Sequence, residues 1–208
     1  MKDVRLEYRW GELREEDLDP DPFVQLGRWF AAAEDADVPE PTAMQLATVD
    51  ADGRPSARTV LLRGLDERGF RFYTNRTSRK GRDLAANPHC ALVFRWAPFE
   101  RQVTVQGRAD PLPDDESDAY FAGRPRGSQL GAWASEQSAV IPDRDVLEAE
   151  LAALEQRFPD AVPRPPHWGG YVVVPDAIEL WQGRENRLHD RLRYRRDGDR
   201  WVVERLAP

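Results

Sequence analysis

Cysteine is almost missing from these 208 residues. Cys90 stands alone, so no disulfide can form within the chain and no thiolate zinc site can be built. Histidine is scarce as well. His89, His167 and His189 are scattered, with neither metal-ligand spacing nor a Ser-His-Asp order, so no metal is expected. No apolar run approaches the roughly 18 residues that a membrane span needs, and no apolar leader opens the chain. A cytoplasmic location without membrane attachment is the expectation. Excess positive charge is missing too: Lys+Arg 30 stand against Asp+Glu 37, a net charge of −7. A general nucleic-acid or membrane-surface binder would carry a basic field, so both classes are set aside. There is no internal repeat, low-complexity segment or glycine-rich phosphate loop.

What is present fits one domain. At 208 residues and 40% hydrophobic, the chain supports one good core and is short for two. The charged opening stretch, residues 1–20, has no steady apolar period and reads as a flexible arm or lid. In "DPFVQLGRWFAAAEDA" (21–36), Asp21 can cap, Pro22 suits the first turn, and Phe23, Leu26 and Phe30 share a face, which predicts a helix. From Ala43 the period switches to two. Strands over 43–50, 54–65 and 70–74, separated by Asp-Gly-type turns, predict a three-stranded antiparallel meander.

A Ser78-capped short helix should then stop near Asn87-Pro88. Strands follow at 90–96 and 100–110, then helices at 113–124 and 143–158. The second helix carries a stripe of Val146, Leu147, Leu151, Leu154 and Phe158. Beyond a stiff Pro-rich connector (162–168), strands are expected at 169–175, 177–183, 191–196 and 200–206. About eight strands with helices between them predict an α+β, mainly β domain whose sheet closes into a small barrel.

Three basic clusters carry the chemistry. In "SARTVLLR", Arg58 shares a strand face with Val60 and Leu62, which is costly unless the guanidinium is paired; a rim arginine in a surface ion pair would read the same. "TNRTSRKGRD" gathers cations and hydroxyls at a helix start, where free N–H groups and the helix dipole attract phosphate. Lys80 there is one of two lysines in an arginine-rich chain; a solvated charged loop is the alternative. In the closing "WQGRENRLHDRLRYRR", a strand would turn Arg187, His189, Arg191 and Arg193 to one side. Such a row repels itself unless an anion sits over it, and the alternative is a basic edge strand that discourages aggregation. Physical reasoning by itself reaches a binder of one or two small phosphorylated molecules.

The blocks "RLEY", "EPTAMQLATVD", "RTVLLR", "FYTNRTSRKG", "ERQVTVQG", "YFAGRPRGSQLGAWASEQS", "WGGY" and "WQGRENRLHDRLRY…W…RLAP" resemble the pyridoxamine (pyridoxine) 5′-phosphate oxidase family almost end to end. The resemblance implies an FMN-binding split β-barrel with peripheral helices over residues 21–208, including a C-terminal dimerisation and substrate block. It implies a homodimer with FMN at the interface. By position, FMN should meet Arg58, Thr59, Val60, Leu61, Leu62, Arg63, Tyr73, Thr74, Arg79, Lys80 and Gln102. Gln137, Ser138, Trp181 and Arg191 should complete that site, partly from the second subunit.

The substrate's phosphate should fall to Tyr120, Arg124 and Ser128, with Arg63 touching it as well. Arg187 and His189 should lie against the pyridine ring, Arg187 positioning the reacting carbon, and Arg5 and Tyr8 should form a lid. The implied activity is hydride transfer from substrate C4′ to flavin N5. Pyridoxamine or pyridoxine 5′-phosphate would become pyridoxal 5′-phosphate, with O2 reduced to hydrogen peroxide. The rivals are a related FMN oxidase of another aromatic substrate, such as a phenazine precursor, and a flavin-binding protein without turnover. Two departures stand out: Arg63 replaces the family's usual lysine, and Glu40 stands where some members have aspartate.

Overall fold

The computed structural model describes residues 11–208. The expected lid residues Arg5 and Tyr8 lie outside the described residues. Helix α1 (Pro22–Asp35) opens as its sequence dictates. The Asp21 carboxylate accepts from the Phe23 N–H at 2.8 Å, Pro22 occupies the first turn, and Leu26, Trp29, Phe30 and Ala33 are buried. Strands β1 (Ala43–Val49), β2 (Pro55–Leu61), β3 (Gly64–Asp66) and β4 (Gly69–Asn75) follow. After α2 (Arg79–Ala86) come β5 (His89–Trp96) and β6 (Arg101–Pro111). Helices α3 (Asp114–Ala122), α4 (Arg126–Ala134) and α5 (Asp145–Arg157) precede β7 (Trp168–Gln182), β8 (Asp190–Asp197) and β9 (Arg200–Arg205).

These strands form one curled antiparallel sheet, ordered β2-β1-β5-β6-β7-β4-β3, with β8 on β7 and β9 on β8. The fold is the mainly β split barrel expected, with two corrections in its wiring. First, the meander does not form. The long second strand breaks at Leu62 and Arg63, β2 pairs only with β1, and β4 crosses to pair with β7. Buried Leu62 is drawn into the core at this break, and β2 is left as the sheet's edge. Second, the two strands expected at 169–175 and 177–183 are one. β6 shifts register between Gln106 and Gly107, opposite Pro175 and Ala177. A bulge tolerates proline's missing N–H, so β7 runs through its proline. Its first half meets β4 and its second half meets β8.

Aromatic rings fill the main core. Phe30 packs edge-on to Phe94 and Trp96 at 5.3 and 5.0 Å, an arrangement that ring quadrupoles favour. A second, smaller core of Phe121, Leu130, Leu154, Val162 and Trp168 lies under α3, α4 and α5. Helix α4 has no counterpart in the sequence-based reading, because Gly127 and Gly131 depress its helical signal. On α5, Leu154 is buried but Val146 is exposed, so the apolar stripe there is only partly covered. Residues 11–20, expected as part of a flexible arm, lie against β8 and β9. Leu13 is buried, its N–H donates to Asp190 at 3.2 Å, and Arg205 donates to Glu15 at 2.7 and 2.8 Å. Among the described residues no helix is long and apolar enough to cross a membrane.

Candidate functional site

A cleft of about 1250 Å³ opens along β2, the end of β4, the start of α2, and helices α3 and α4. Of the residues expected at a ligand, it brings together Arg58, Thr59, Val60, Leu61, Arg63, Tyr73, Thr74, Arg79, Lys80, Tyr120, Arg124, Ser128, Gln137 and Ser138. Leu62 is not among them. Its side chain is buried in the core and borders a smaller neighbouring cavity instead.

One end of the cleft is built on α2. The Ser78 hydroxyl caps the helix by accepting from Gly81 N–H, which sets Lys80 in the first turn facing inward. Lys80 is buried. Its Nζ donates to Gln137 Oε1 (2.8 Å), Thr74 Oγ1 (3.1 Å) and Ser78 Oγ (3.1 Å). All three partners are neutral. Burial, and then the Arg58 charge, push the ammonium down to about 8. The Arg79 backbone N–H donates to Ser138 Oγ at 3.2 Å. A desolvated cation with neutral partners, at a helix N-terminus beside two arginines, suits an anion.

The other end is aromatic. Tyr73 and Tyr120 stack at 3.8 Å and 3°, and both lie nearly parallel to Trp168. Arg124 sits over Trp168 at 4.7 Å and Phe121 at 5.5 Å. Its Nη1 is buried without a hydrogen-bond partner, and burial draws its pKa down, with Arg63 adding to the effect. A buried guanidinium donor left unmatched is costly unless a ligand accepts from it. The cleft therefore offers two cationic ends, each with an unmet demand for negative charge.

The remaining expected residues form a separate group. Gln102 pairs in register with Trp181, and Trp181 with Arg191. His189 lies 4.6 Å from the Trp181 ring. Tyr73 in the cleft pairs with Gly170, eleven residues from Trp181 on β7. At a strand's rise per residue that is about 36 Å along the sheet, so one chain keeps the two groups at opposite ends of β7.

The predicted row of four cations does not form on one strand. Arg187 falls in a 3-10 turn, Glu185–Arg187, where Asn186 and Arg187 take left-handed φ of 57° and 62°, a costly backbone typical of functional loops. Strand β8 begins only at Asp190. Arg191 is held by Glu179 through two hydrogen bonds of 2.8 and 3.0 Å, and Arg193 and Arg195 share Glu204. Protein carboxylates thus supply the anions for the strand arginines. His189 Nδ1 accepts from the Arg184 N–H at 3.1 Å. Burial and then the Arg187 charge lower its pKa, which favours the neutral ring, and an accepting Nδ1 leaves the proton of that form on Nε2.

Sequence reasoning missed Trp168, the floor of the aromatic end, and Glu179, the anchor of Arg191. It also missed Asp83, although Asp83 is the one acid inside the "RKGRD" cluster. That lone charge was the available signal.

Comparison with known proteins agrees with this architecture. Residues 30–158 match the family model described as pyridoxamine 5′-phosphate oxidase. Residues 168–208 match that of the pyridoxine 5′-phosphate oxidase C-terminal dimerisation region. A pyridoxine/pyridoxamine 5′-phosphate oxidase of Cupriavidus necator is 57% identical over 209 residues, covering 100% of this chain and 99% of the relative. One from Burkholderia lata is 57% identical over 211 residues, with the same coverage. Among solved structures, PhzG from Burkholderia lata 383, in complex with tetrahydrophenazine-1-carboxylic acid, superimposes with a TM-score of 0.90 at 38% identity. That match covers 96% of this chain and 99% of PhzG. A pyridoxamine 5′-phosphate oxidase-related protein from Nostoc punctiforme shares the fold, with a TM-score of 0.73 at 19% identity over 92% of this chain and 100% of that one.

Proposed function

Because the chain belongs to the pyridoxamine 5′-phosphate oxidase family, we propose that it binds FMN and oxidises pyridoxamine or pyridoxine 5′-phosphate to pyridoxal 5′-phosphate, with O2 as electron acceptor. The observation that carries this reading is the pair of unmet cationic ends in one cleft: the Lys80 ammonium among neutral partners, and the unpartnered Nη1 of Arg124. Two phosphates, one on the cofactor and one on the substrate, match two such ends. FMN, when bound, supplies the hydride acceptor and passes the electrons on to O2, giving hydrogen peroxide.

The residues divide the remaining work. Arg58, Arg79 and Lys80 hold the cofactor's phosphate, with Thr74, Gln137 and Ser138 filling the other hydrogen-bond directions. Arg124, with Tyr120 and Ser128, holds the substrate's phosphate, while Arg63 contributes charge at the rim. Arg187 positions the pyridine ring and the carbon that reacts. His189 offers a neutral imidazole whose Nε2–H can hold or move a proton. The dimerisation region supports a homodimer. In that dimer, Gln102, Trp181, Arg187, His189 and Arg191 of one subunit would close the cleft of the other.

The likeness to PhzG favours a second reading, in which the substrate is a reduced phenazine carboxylate without a phosphate. Identity of 57% to relatives named for the vitamin B6 reaction supports the first. The test is direct. The purified protein should show a flavin spectrum. In air, pyridoxamine 5′-phosphate should yield aldehyde and peroxide together, faster than a tetrahydrophenazine carboxylate is oxidised. Oxidation of only the phenazine would move the assignment to the second reading. A yellow protein that consumes no oxygen with either would make it a flavin carrier.

Titration of Lys80 gives a further expected result. Free, its ammonium gives up the proton near pH 8, and a bound phosphate dianion favours the charged form. Binding above that pH must therefore take up a proton. FMN affinity should decline as pH climbs through about 8, and Lys80→Arg should remove the decline, since arginine stays charged throughout. Fluorescence titration of the apoprotein between pH 7 and 9 measures both.

A further inference from the structure

Asp83 lies on α2 three residues after Lys80 and is only 4% exposed. Its Oδ2 accepts from Thr48 Oγ1 at 2.6 Å and from Ser56 Oγ at 3.0 Å. A hydroxyl has one proton, so each, having donated to Asp83, turns its lone pairs the other way. Arg58 meets them. Its Nη1 donates to Thr48 Oγ1 at 2.7 Å and its Nη2 to Ser56 Oγ at 2.5 Å. The second Nη1 hydrogen goes to the Leu46 carbonyl at 3.1 Å. The direct Arg58–Asp83 separation is 3.6 Å, so the hydroxyls carry the short contacts. Burial works to raise the Asp83 pKa, but the hydrogen bonds from Thr48 and Ser56 and the Arg58 charge outweigh it and keep the carboxylate ionised.

A guanidinium has five N–H groups. Three of Arg58's are consumed at its far end. The Nε–H and one Nη2–H are left, and they lie on one edge, the fork that grips two phosphate oxygens at once. Arg58 lines the cleft and lies close enough to Lys80 to depress its pKa. The network also ties α2, which carries Lys80, to β1 and to β2, which carries Arg58.

We propose that Asp83 is a positioning residue: through the hydroxyls of Thr48 and Ser56 it fixes the Arg58 guanidinium so that its Nε–Nη2 edge faces the phosphate bound by Lys80. This deepens the reading of the cleft as an FMN site and rests on it. The opposing effect is plain electrostatics, because a carboxylate behind the site repels a phosphate. The two have opposite signs. If Asp83 acts only as background charge, removing it tightens FMN; if it positions Arg58, removing it weakens FMN.

The experiment is a fluorescence titration of apoprotein with FMN and with riboflavin, which has no phosphate. Asp83→Ala should raise the FMN dissociation constant about ten-fold or more, with that for riboflavin within about two-fold of wild type. Asp83→Asn keeps an acceptor for the two hydroxyls and should recover most of the lost affinity. Should Asp83→Ala not fold, Ser56→Ala and Thr48→Val, which each delete one acceptor facing Arg58, should shift FMN in the same direction and spare riboflavin. Tighter FMN binding, unchanged FMN binding, or an equal loss for both ligands would overturn the role of Asp83. A wild-type protein with no preference for FMN over riboflavin would overturn the cofactor reading itself, and this role with it.

Discussion

A hybrid dimer pairing a Lys80→Ala chain with an Arg187→Ala chain should regain about half of the wild-type turnover, although each variant alone is nearly inactive. The expectation follows from β7. Tyr73 at the cleft and Trp181 in the C-terminal group are tied to that strand eleven residues apart, about 36 Å of strand path, toward its opposite ends. On the proposed reading, a complete site takes its cleft from one chain and its C-terminal group from the other. In an isologous dimer the hybrid has one site with both parts intact and one with both damaged. Lys80→Ala alone should cost about 100-fold in FMN affinity, because it deletes the buried ammonium of the phosphate end. Arg187→Ala should cost turnover at saturating substrate. Two affinity tags isolate the hybrid, and oxygen uptake at an FMN concentration that saturates only the wild type reads the outcome. A hybrid no better than the mean of its parents would place the whole site within one chain.

Arg124→Ala should raise KM for pyridoxamine 5′-phosphate roughly 100-fold, equivalent to about 2.7 kcal/mol, with kcat little changed. The guanidinium is stacked on Trp168 and Phe121 with Nη1 buried and unpartnered, so its interaction with a phosphate forms in a desolvated setting. Phosphate takes no part in the chemistry at C4′, so its grip is the same in ground and transition states and shows in KM. Pyridoxamine without its phosphate should be oxidised equally poorly by wild type and variant. An unchanged KM, or a loss confined to kcat, would remove Arg124 from the phosphate site. Steady-state kinetics with both substrates decides it.

The parts of this molecule that were legible in the chain are those governed by near neighbours. Asp21 and Pro22 announce α1, and Ser78 announces α2, because a cap and the N–H it satisfies are two or three residues apart. Alternation marks β5 and β6. The lysine kept at position 80 in an arginine-rich chain hints that an ammonium is wanted there, and it lies buried in the cleft rather than in a solvated loop. The expectation that Arg58 must be paired also matches its four partners.

What was misjudged depended on residues far away in sequence. The cation row of the C-terminal block looked incomplete without an external anion because Glu179, on another strand, cannot be assigned to Arg191 by local spacing. Leu62 turned into the core, and the expected meander broke, because β4 gains a partner in β7, about a hundred residues later.

Composition and near-neighbour spacing set the inventory: an acidic, mainly β chain whose cations and hydroxyls gather in three clusters. Pairing across the folded sheet set the assignments: which arginines are spent on the protein's own carboxylates, which line the cleft, and how the cleft and the C-terminal group are spaced along β7. The difference is one of range. Capping and alternation act over a few residues, whereas charge pairing and strand partnership are settled by whatever the folded sheet brings alongside.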